Sequence, residues 1–187
     1  MQTMNKIEFY ISPDGNIMVK PEGKAMFAYT QDCSEVREMV MAILRDLYPE
    51  ALGALSKLYE KSAMNKPYFE YLITHRFIRC NFGEYDSLTF DIDSRGLPNF
   101  EEVRCPLRGE CVNERVICKP KLHTTLSPRE KEVAILLADG FSKTEIADEL
   151  NISAFTVTRH ITNIKNRWNV SSTAQLISRA QILKDNQ

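Results

Sequence analysis

The stretch that decides the architecture of the second half of this chain is Ser153–Trp168, with the sequence SAFTVTRHITNIKNRW. Its apolar residues recur at the spacing of one helical face: Val157, Ile161, Ile164 and Trp168. That pattern predicts a helix packed on a core. The segment from Leu150 to Lys184 also holds five Lys and Arg residues and no Asp or Glu. Because local charge sets the potential that a partner meets, this segment favours a polyanion, and a basic face that is merely solvated is the alternative.

Signals for helix starts lie on both sides of this stretch. Ser127-Pro-Arg-Glu130 and Ser142-Lys-Thr-Glu145 are capping boxes, Ser153 caps the next helix, and Ser172-Thr-Ala-Gln175 starts a fourth. Only Asn151-Ile-Ser153 separates the second and third helices, and so short a link forces them to cross steeply. We therefore expect residues 126–187 to form an all-α four-helix domain of the helix-turn-helix type.

The third of these helices, residues 154–168, has side chains suited to the major groove of double-stranded DNA. Arginine can form two hydrogen bonds to guanine, amides can bond adenine, and hydroxyls and cations can bond phosphates. The residues left outside the apolar stripe are Phe155, Thr158, Arg159, Thr162, Asn163, Lys165 and Asn166. Phosphates would repel an acid on this surface, which gives the absence of acids a physical reason.

At this point the chain resembles a known family. The segment from Leu126 to Arg179 contains "LSPRE", "EIA", "TV" separated by two residues from His160, and "VSS", in that order. It is similar to the LuxR/GerE-type helix-turn-helix domain of bacterial transcription regulators. The resemblance implies four helices, with the third in the major groove, and a protein that commonly binds paired half-sites as a homodimer.

The resemblance also assigns roles to positions of this chain. It places Thr158, Arg159 and Thr162 where family members contact bases, and Lys143, Thr156 and Ser172 near phosphates. Family members often carry Lys at the position of Thr158, so the cation here is displaced to Arg159 and the family's half-site preference should not be assumed.

Four further residues of the family pattern have structural interpretations. For Glu130, Glu145 and His160 we expect capping and hydrogen bonds between helices. For Trp168 we expect burial in the core, since it continues the apolar stripe of the third helix, and not insertion between bases.

The patterns in residues 1–119 predict a separate α+β domain. A linker at residues 120–125 would join it to the helical domain. A β-hairpin should turn at Pro13-Asp-Gly-Asn16, and helices are expected from an Asp32 cap to a stop before Pro49, over 51–61 and over 68–77. In DSLTFDID, alternation predicts a half-buried strand. Its inner residues would be Leu88, Phe90 and Ile92, and its solvent-facing residues Thr89, Asp91 and Asp93. A metal site at these carboxylates is the alternative to a solvated face.

Four cysteines are candidate zinc ligands: Cys80, Cys105, Cys111 and Cys118. They lie in or near a tract with little periodicity, which a structural Zn²⁺ would stabilise. Their spacing lacks the paired C-x2-C of zinc knuckles, so ordinary buried cysteines and a redox switch stay as alternatives. His75 or His123 could replace one of the four, and Cys33 is expected to be buried.

Composition narrows the class of protein. The chain has 187 residues, a net charge of −1 and 43% hydrophobic residues, as in a globular protein of one or two domains. It has no apolar run long enough for a transmembrane helix and no signal-peptide pattern at its N-terminus, so we expect a cytoplasmic protein without a membrane partner.

These patterns together predict a sequence-specific transcriptional regulator and not an enzyme. The N-terminal residues lack the repeated βα units of a phosphoacceptor receiver, and we identify no sensor domain in them. A sigma-factor-like promoter-recognition protein is the alternative within transcription, and RNA polymerase is then a candidate partner. An enzyme with a DNA-targeting tail has no catalytic motif to support it.

Overall fold

The computed structural model describes residues 6–85, 89–94, 96–123 and 126–185. The chain divides into two compact units, Met1–His123 and Thr124–Gln187. Within the predicted linker 120–125, Pro120 and Leu122 are buried and the His123 N–H donates to the Leu47 carbonyl at 2.9 Å. Residues 120–123 therefore belong to the N-terminal unit, and residues 124 and 125 lie outside the described residues.

The N-terminal unit begins with a three-stranded antiparallel sheet in the order β1-β2-β3. Its strands are β1 (Ile7–Ile11), β2 (Ile17–Pro21) and β3 (Phe27–Ala28). Ile11 pairs with Ile17, so the predicted hairpin forms, and its turn closes where the Gly15 N–H donates to the Ser12 carbonyl at 2.8 Å. Gly15 has a φ of +81°, which a glycine adopts without steric cost.

Three α-helices follow: α1 (Ser34–Leu47), α2 (Pro49–Leu58) and α3 (Lys66–Asn81), with a 3-10 turn at Glu60–Ser62 between α2 and α3. The prediction of an Asp32 cap is wrong, since Cys33 occupies the N-cap of α1 and makes no side-chain cap hydrogen bond. Prolines stand in the first turns of α2 and α3, where a missing N–H costs nothing. Both helices therefore begin earlier than the sequence predicted.

Aromatic side chains fill the core of the N-terminal unit. The ring of Phe82 lies 5.5 Å from that of Phe9 and 5.8 Å from that of Phe100. Phe77 and Tyr48 join the same cluster. The end of α3 is thereby packed against β1 and against the chain that follows residue 96.

The strand predicted in DSLTFDID is not formed by the described residues of that segment. Leu88 lies outside them, and Ile92 makes isolated bridges to Ile7 and Pro98. The prediction that Asp91 faces solvent is wrong: Asp91 is 1% exposed and its Oδ2 accepts the Phe9 N–H at 2.6 Å. Alternation failed here because the chain turns back after Asp93, whose carboxylate accepts the Leu97 N–H at 3.0 Å.

The C-terminal unit contains α4 (Pro128–Ala138), α5 (Lys143–Glu149), α6 (Ala154–Trp168) and α7 (Thr173–Asp185). Both predicted capping boxes form at the starts of α4 and α5. Each helix contributes buried apolar side chains to one core: Val133, Ala134 and Leu137; Ile146 and Ala147; Val157, Ile161, Ile164 and Trp168; Leu176, Ala180, Ile182 and Leu183. Among the described residues, no helix is long and apolar enough to cross a membrane.

Candidate nucleic-acid interface

The turn before α6 holds this helix in a defined orientation to α5. Asn151 adopts the left-handed region with a φ of +53°, which asparagine tolerates better than most residues. The Ile152 N–H then donates back to the Ala147 carbonyl at 2.9 Å. Ser153 caps α6 by accepting the Thr156 N–H at 3.0 Å. These hydrogen bonds fix where α6 begins and therefore which of its side chains lie on each face.

The two faces of α6 differ as the sequence predicted. Val157, Ile161, Ile164 and Trp168 are buried, and Trp168 is 4% exposed, which confirms it as a core residue. On the opposite face, side chains at successive helical turns point to solvent: Phe155, Arg159, Thr162 and Asn166. Thr158 is also exposed, whereas Thr156, Asn163 and Lys165 are half-buried along the flanks. The exposed stripe, residues 155, 159, 162 and 166, is referred to below as the outward stripe.

Phe155 is the member of the outward stripe that was not among the predicted DNA contacts. Its side chain is 80% exposed in the first turn of α6. Its position on the same face as Arg159 makes this apolar surface available to a partner that contacts α6. The signal in the sequence was its position one helical turn before Arg159, on the face opposite the apolar stripe.

Two groups of cations can be distinguished in the C-terminal unit. Lys143, Arg159 and Lys165 form no ion pair or hydrogen bond through their side chains within the part of the chain that the structure describes. By contrast, the Arg167 Nε lies 3.5 Å from a Glu130 oxygen, Lys184 pairs with Asp139, and Arg129 pairs with Glu132 at 2.7 Å. The second group serves the fold, and the first group leaves its charge for a partner.

Glu130 connects the cap of α4 to α6. Its carboxylate is nearly buried and accepts hydrogen bonds from the N–H and hydroxyl of Ser127, at 2.8 and 2.9 Å. Burial raises the pKa of Glu130, but these hydrogen bonds and the charges of Arg167 and His160 together outweigh it, so the pKa lies below the ordinary 4.5. The capping predicted for Glu130 is confirmed, and so is that of Glu145, which accepts the Ser142 N–H at 2.7 Å.

His160 differs from its prediction. The sequence led us to expect a hydrogen bond between helices, but its Nδ1 is buried and has no hydrogen-bond partner among the described residues. The ring is half-buried, and His160 is the smallest of the causes that lower the pKa of Glu130. His160 thus contributes to the inner electrostatics of the unit.

The hydroxyls predicted to contact DNA already have partners within the helices. Thr158 Oγ1 donates to the Ala154 carbonyl at 3.0 Å, and Thr162 Oγ1 to the Thr158 carbonyl at 3.1 Å. Ser172 Oγ accepts the Gln175 N–H at 3.1 Å at the start of α7. A threonine bonded in this way still has acceptor lone pairs and a methyl group for a base or a phosphate donor.

The candidate zinc ligands all lie in the N-terminal unit, outside the surface just described. Cys80 is half-buried in the last turn of α3, Cys105 is exposed, and Cys111 and Cys118 are half-buried. Burial raises the pKa of the Cys80 thiol, the charge of Arg76 opposes this increase, and the thiols of Cys118, Cys105 and Cys111 add to it. Of the four, Cys80 and Cys105 line one cavity.

The two histidines offered as substitute ligands have other surroundings. The His75 ring lies 5.5 Å from that of Tyr71, and burial, then the charges of Arg79 and Arg76, lowers its pKa. His123 is exposed. Cys33, expected to be buried, is half-buried at the start of α1.

A group of carboxylates that sequence patterns did not bring together is formed by Glu8, Asp91 and Glu101, whose ligand oxygens all lie within 4.8 Å of one another. These oxygens accept backbone N–H groups. Asp91 accepts from Phe9, Glu8 accepts from the Asp91 N–H at 3.3 Å, and Glu101 accepts from Gly83 at 2.6 Å. The carboxylates therefore tie distant segments of the unit together.

Comparison with known proteins gives a match to one family model and alignments to individual proteins, and the family match and the alignment of higher identity are short. Residues 124–180 match the model of the family described as bacterial regulatory proteins, luxR family. The transcriptional activator protein BglJ of Escherichia coli K12 is 39% identical over 59 residues, covering 32% of this chain and 26% of BglJ.

Longer matches are found at lower identity. The response regulator protein VraR of Staphylococcus saprophyticus is 26% identical over an alignment that covers 91% of this chain and 87% of VraR. VraR of Staphylococcus aureus strain Mu3 is 27% identical over the same shares. No solved structure was found to match.

Proposed function

We infer that this chain is a DNA-binding transcriptional regulator, because residues 124–180 match the luxR family of bacterial regulatory proteins, the family that the sequence resembles. The observation that carries the inference beyond the family is the outward stripe of α6. It is exposed, it contains no acid, and it includes Arg159, which forms no ion pair or hydrogen bond within the described chain. A polyanion is the partner that such a surface favours.

We propose that α5, its turn and α6 act as a helix-turn-helix unit, with α6 in the major groove of double-stranded DNA. α6 has 15 residues, hence a length of about 22 Å, and an α-helix with its side chains matches the roughly 12 Å width of that groove. The hydrogen-bonded cap at Ser153 supports this role, because side chains near the start of the helix must meet base edges in a fixed register.

Within this geometry, Arg159 would bond a guanine edge, with Thr158 and Thr162 beside it. Asn163 and Asn166 would meet bases or sugars along the groove, and Lys165 at its flank would meet a phosphate. Phe155, exposed at the leading turn, is suited to the methyl group of a thymine. Phosphates on either side would be met by Lys143, Thr156 and Ser172.

We propose that this chain shares regulation with VraR but does not accept a phosphoryl group. VraR is called a response regulator, and a receiver domain needs repeated βα units with a parallel sheet, whereas the sheet of this N-terminal unit is antiparallel. We propose that the N-terminal unit supplies self-association or protein contacts, so that the regulator binds paired half-sites as a homodimer in the cytoplasm. Contact with RNA polymerase belongs to the same proposal.

The test is selection of bound sequences from a pool of random DNA duplexes by the full-length protein. We expect enrichment of a short motif, repeated at a fixed spacing if the protein binds as a dimer. The double variant Arg159→Ala/Lys165→Ala should lose the enrichment. Lys61→Ala, which removes an exposed cation of the N-terminal unit, is the matched control and should retain it. A pool that stays random with wild-type protein, or identical enrichment with the double variant, would refute the proposed surface.

A further inference from the structure

The tract from residue 101 to residue 119 poses a problem of stability. It contains a chain of turns and no helix or strand, and its apolar side chains are mostly exposed: Leu107, Val112 and Val116. Val112 is 92% exposed, and among residues 104–119 only Ile117 is buried. Ordering a residue costs about 1–2 kcal/mol of backbone entropy, and so little apolar burial does not offset that cost over such a length. Interactions other than apolar burial must therefore hold this tract in place.

The end of the tract is tied to the end of α3 beside a cysteine. Asn81 is fully buried, and its side chain donates to the Ile117 carbonyl at 2.9 Å and accepts the Lys119 N–H at 2.7 Å. Cys118 lies between these two bonded residues, and Cys80 directly precedes Asn81. One buried amide therefore holds Cys118 against the turn of α3 that carries Cys80.

The start of the tract returns to the same place. Cys105 and Cys80 line one cavity, together with Arg76, Arg79 and Arg104. Glu102 forms ion pairs with both Arg108 and Lys119, so the beginning and the end of the tract are also joined to each other. Cys111 follows in the next turn, where its own N–H donates to the Leu107 carbonyl at 3.0 Å.

We propose that Cys80, Cys105, Cys111 and Cys118 bind one structural Zn²⁺ ion as four thiolates. Zn²⁺ favours four sulfur ligands in tetrahedral geometry at about 2.3 Å, and such a site stabilises loops that lack a core. The proposal concerns the N-terminal unit alone and does not depend on how α6 meets DNA.

The surroundings suit the charge of such a site. Four thiolates and one Zn²⁺ leave a net charge of −2, and Arg76, Arg79 and Arg104 lie along the same cavity. The Arg76 Nε is buried and has no hydrogen-bond partner among the described residues, so it is a donor available to a ligand sulfur. The Cys118 sulfur already accepts the Arg115 N–H at 3.3 Å, an interaction that also stabilises a metal-bound thiolate.

Metal binding would also contract the loop. Among the described residues, no three cysteine sulfurs all lie within 4.8 Å of one another, whereas the sulfurs of a tetrahedral zinc site are about 3.8 Å apart. The turns at 105–118 can make this adjustment, since most of their side chains face solvent. Zinc should therefore order the tract as well as bind to it.

The experiment is metal analysis of full-length protein purified without chelators. We expect about one equivalent of zinc, released by a thiol-blocking mercurial, and a tetrahedral thiolate spectrum when Co²⁺ replaces it. Cys105→Ser and Cys111→Ser should lower the zinc content at least tenfold. Cys33→Ser is the matched control, because Cys33 lies at the start of α1 outside the site, and it should keep its zinc.

Four results would overturn the proposal. They are less than a tenth of an equivalent of zinc in wild-type protein, disulfides between these cysteines in its intact mass, iron in place of zinc, or full zinc content in the Cys105→Ser and Cys111→Ser variants. If a variant fails to fold, the Co²⁺ spectrum of wild-type protein still decides. A spectrum without thiolate-to-cobalt charge transfer rejects four cysteine ligands.

Discussion

Replacing Arg159 by alanine should change which DNA sequence is bound and leave the fold intact. The side chain is exposed and forms no ion pair or hydrogen bond within the described chain, so the free energy of unfolding should stay within about 0.5 kcal/mol of wild type. If the guanidinium forms two hydrogen bonds to one guanine, discrimination at that base pair falls by about 1–3 kcal/mol. That is a loss of roughly 5- to 150-fold in the ratio of dissociation constants.

The assay is fluorescence anisotropy with full-length protein, the selected duplex and a set of duplexes that differ at single base pairs. Each titration is repeated over a series of salt concentrations. Lys143→Ala serves as the contrast: it should weaken binding to all duplexes alike and lower the slope of log K against log salt by about 0.9, the value for one phosphate contact. Arg159→Ala should instead flatten the differences between duplexes at one position.

Lys61→Ala controls for the loss of one positive charge, and a thermal melt of each variant controls for folding. The reasoning fails if Arg159→Ala weakens binding to every duplex by the same factor and lowers the salt slope by about one. Arg159 would then contact a phosphate, and another member of the outward stripe would set the preference.

Three further outcomes are expected. Phe155→Ala should leave the free energy of unfolding within about 0.5 kcal/mol of wild type. It should weaken binding to duplexes with a thymine at the contacted position about fourfold, which corresponds to roughly 0.8 kcal/mol for one covered methyl group. Unchanged affinity in anisotropy titrations would exclude this contact. Trp168→Ala should destabilise the C-terminal unit by about 3–5 kcal/mol in denaturant unfolding, and a loss below 1 kcal/mol would contradict its burial. Glu130→Gln should destabilise the protein at neutral pH. Because the folded-state pKa of Glu130 is lowered, the difference in stability from wild type should be complete above the ordinary pKa of 4.5 and should shrink as the pH falls through the folded-state pKa. A difference in melting temperature that stays constant down to pH 3 would be inconsistent with this assignment.

The parts of the fold that local chemistry specifies could be predicted from the sequence. Capping at Ser127 and Ser142 and the apolar stripe of α6 are interactions among residues a few positions apart, so their pattern survives in the sequence. The hairpin around Gly15 belongs to the same class. Helix starts at Pro49 and Lys66 were missed because a proline was taken as a boundary, although it is compatible with a first turn.

Other properties depend on partners far away in the chain. The alternation in DSLTFDID does not show that the Asp91 carboxylate accepts a hydrogen bond from the Phe9 N–H, 82 positions earlier in the chain. The buried carboxylate was therefore predicted to be exposed. The four cysteines are similar: their spacing alone is uninformative, and it is the buried amide of Asn81 that brings Cys118 to Cys80.

The sequence by itself determined that α6 has an apolar face and a basic face, because helical periodicity distributes side chains around the axis in a known way. It did not distinguish the cations from one another. Arg167 and Arg159 are both exposed arginines of one helix. Only the tertiary structure places a buried Glu130 3.5 Å from Arg167, whereas Arg159 has no ion pair with any acid among the residues that the structure describes. A charge is available to DNA when the fold has not already neutralised it, and that depends on which residues meet in space.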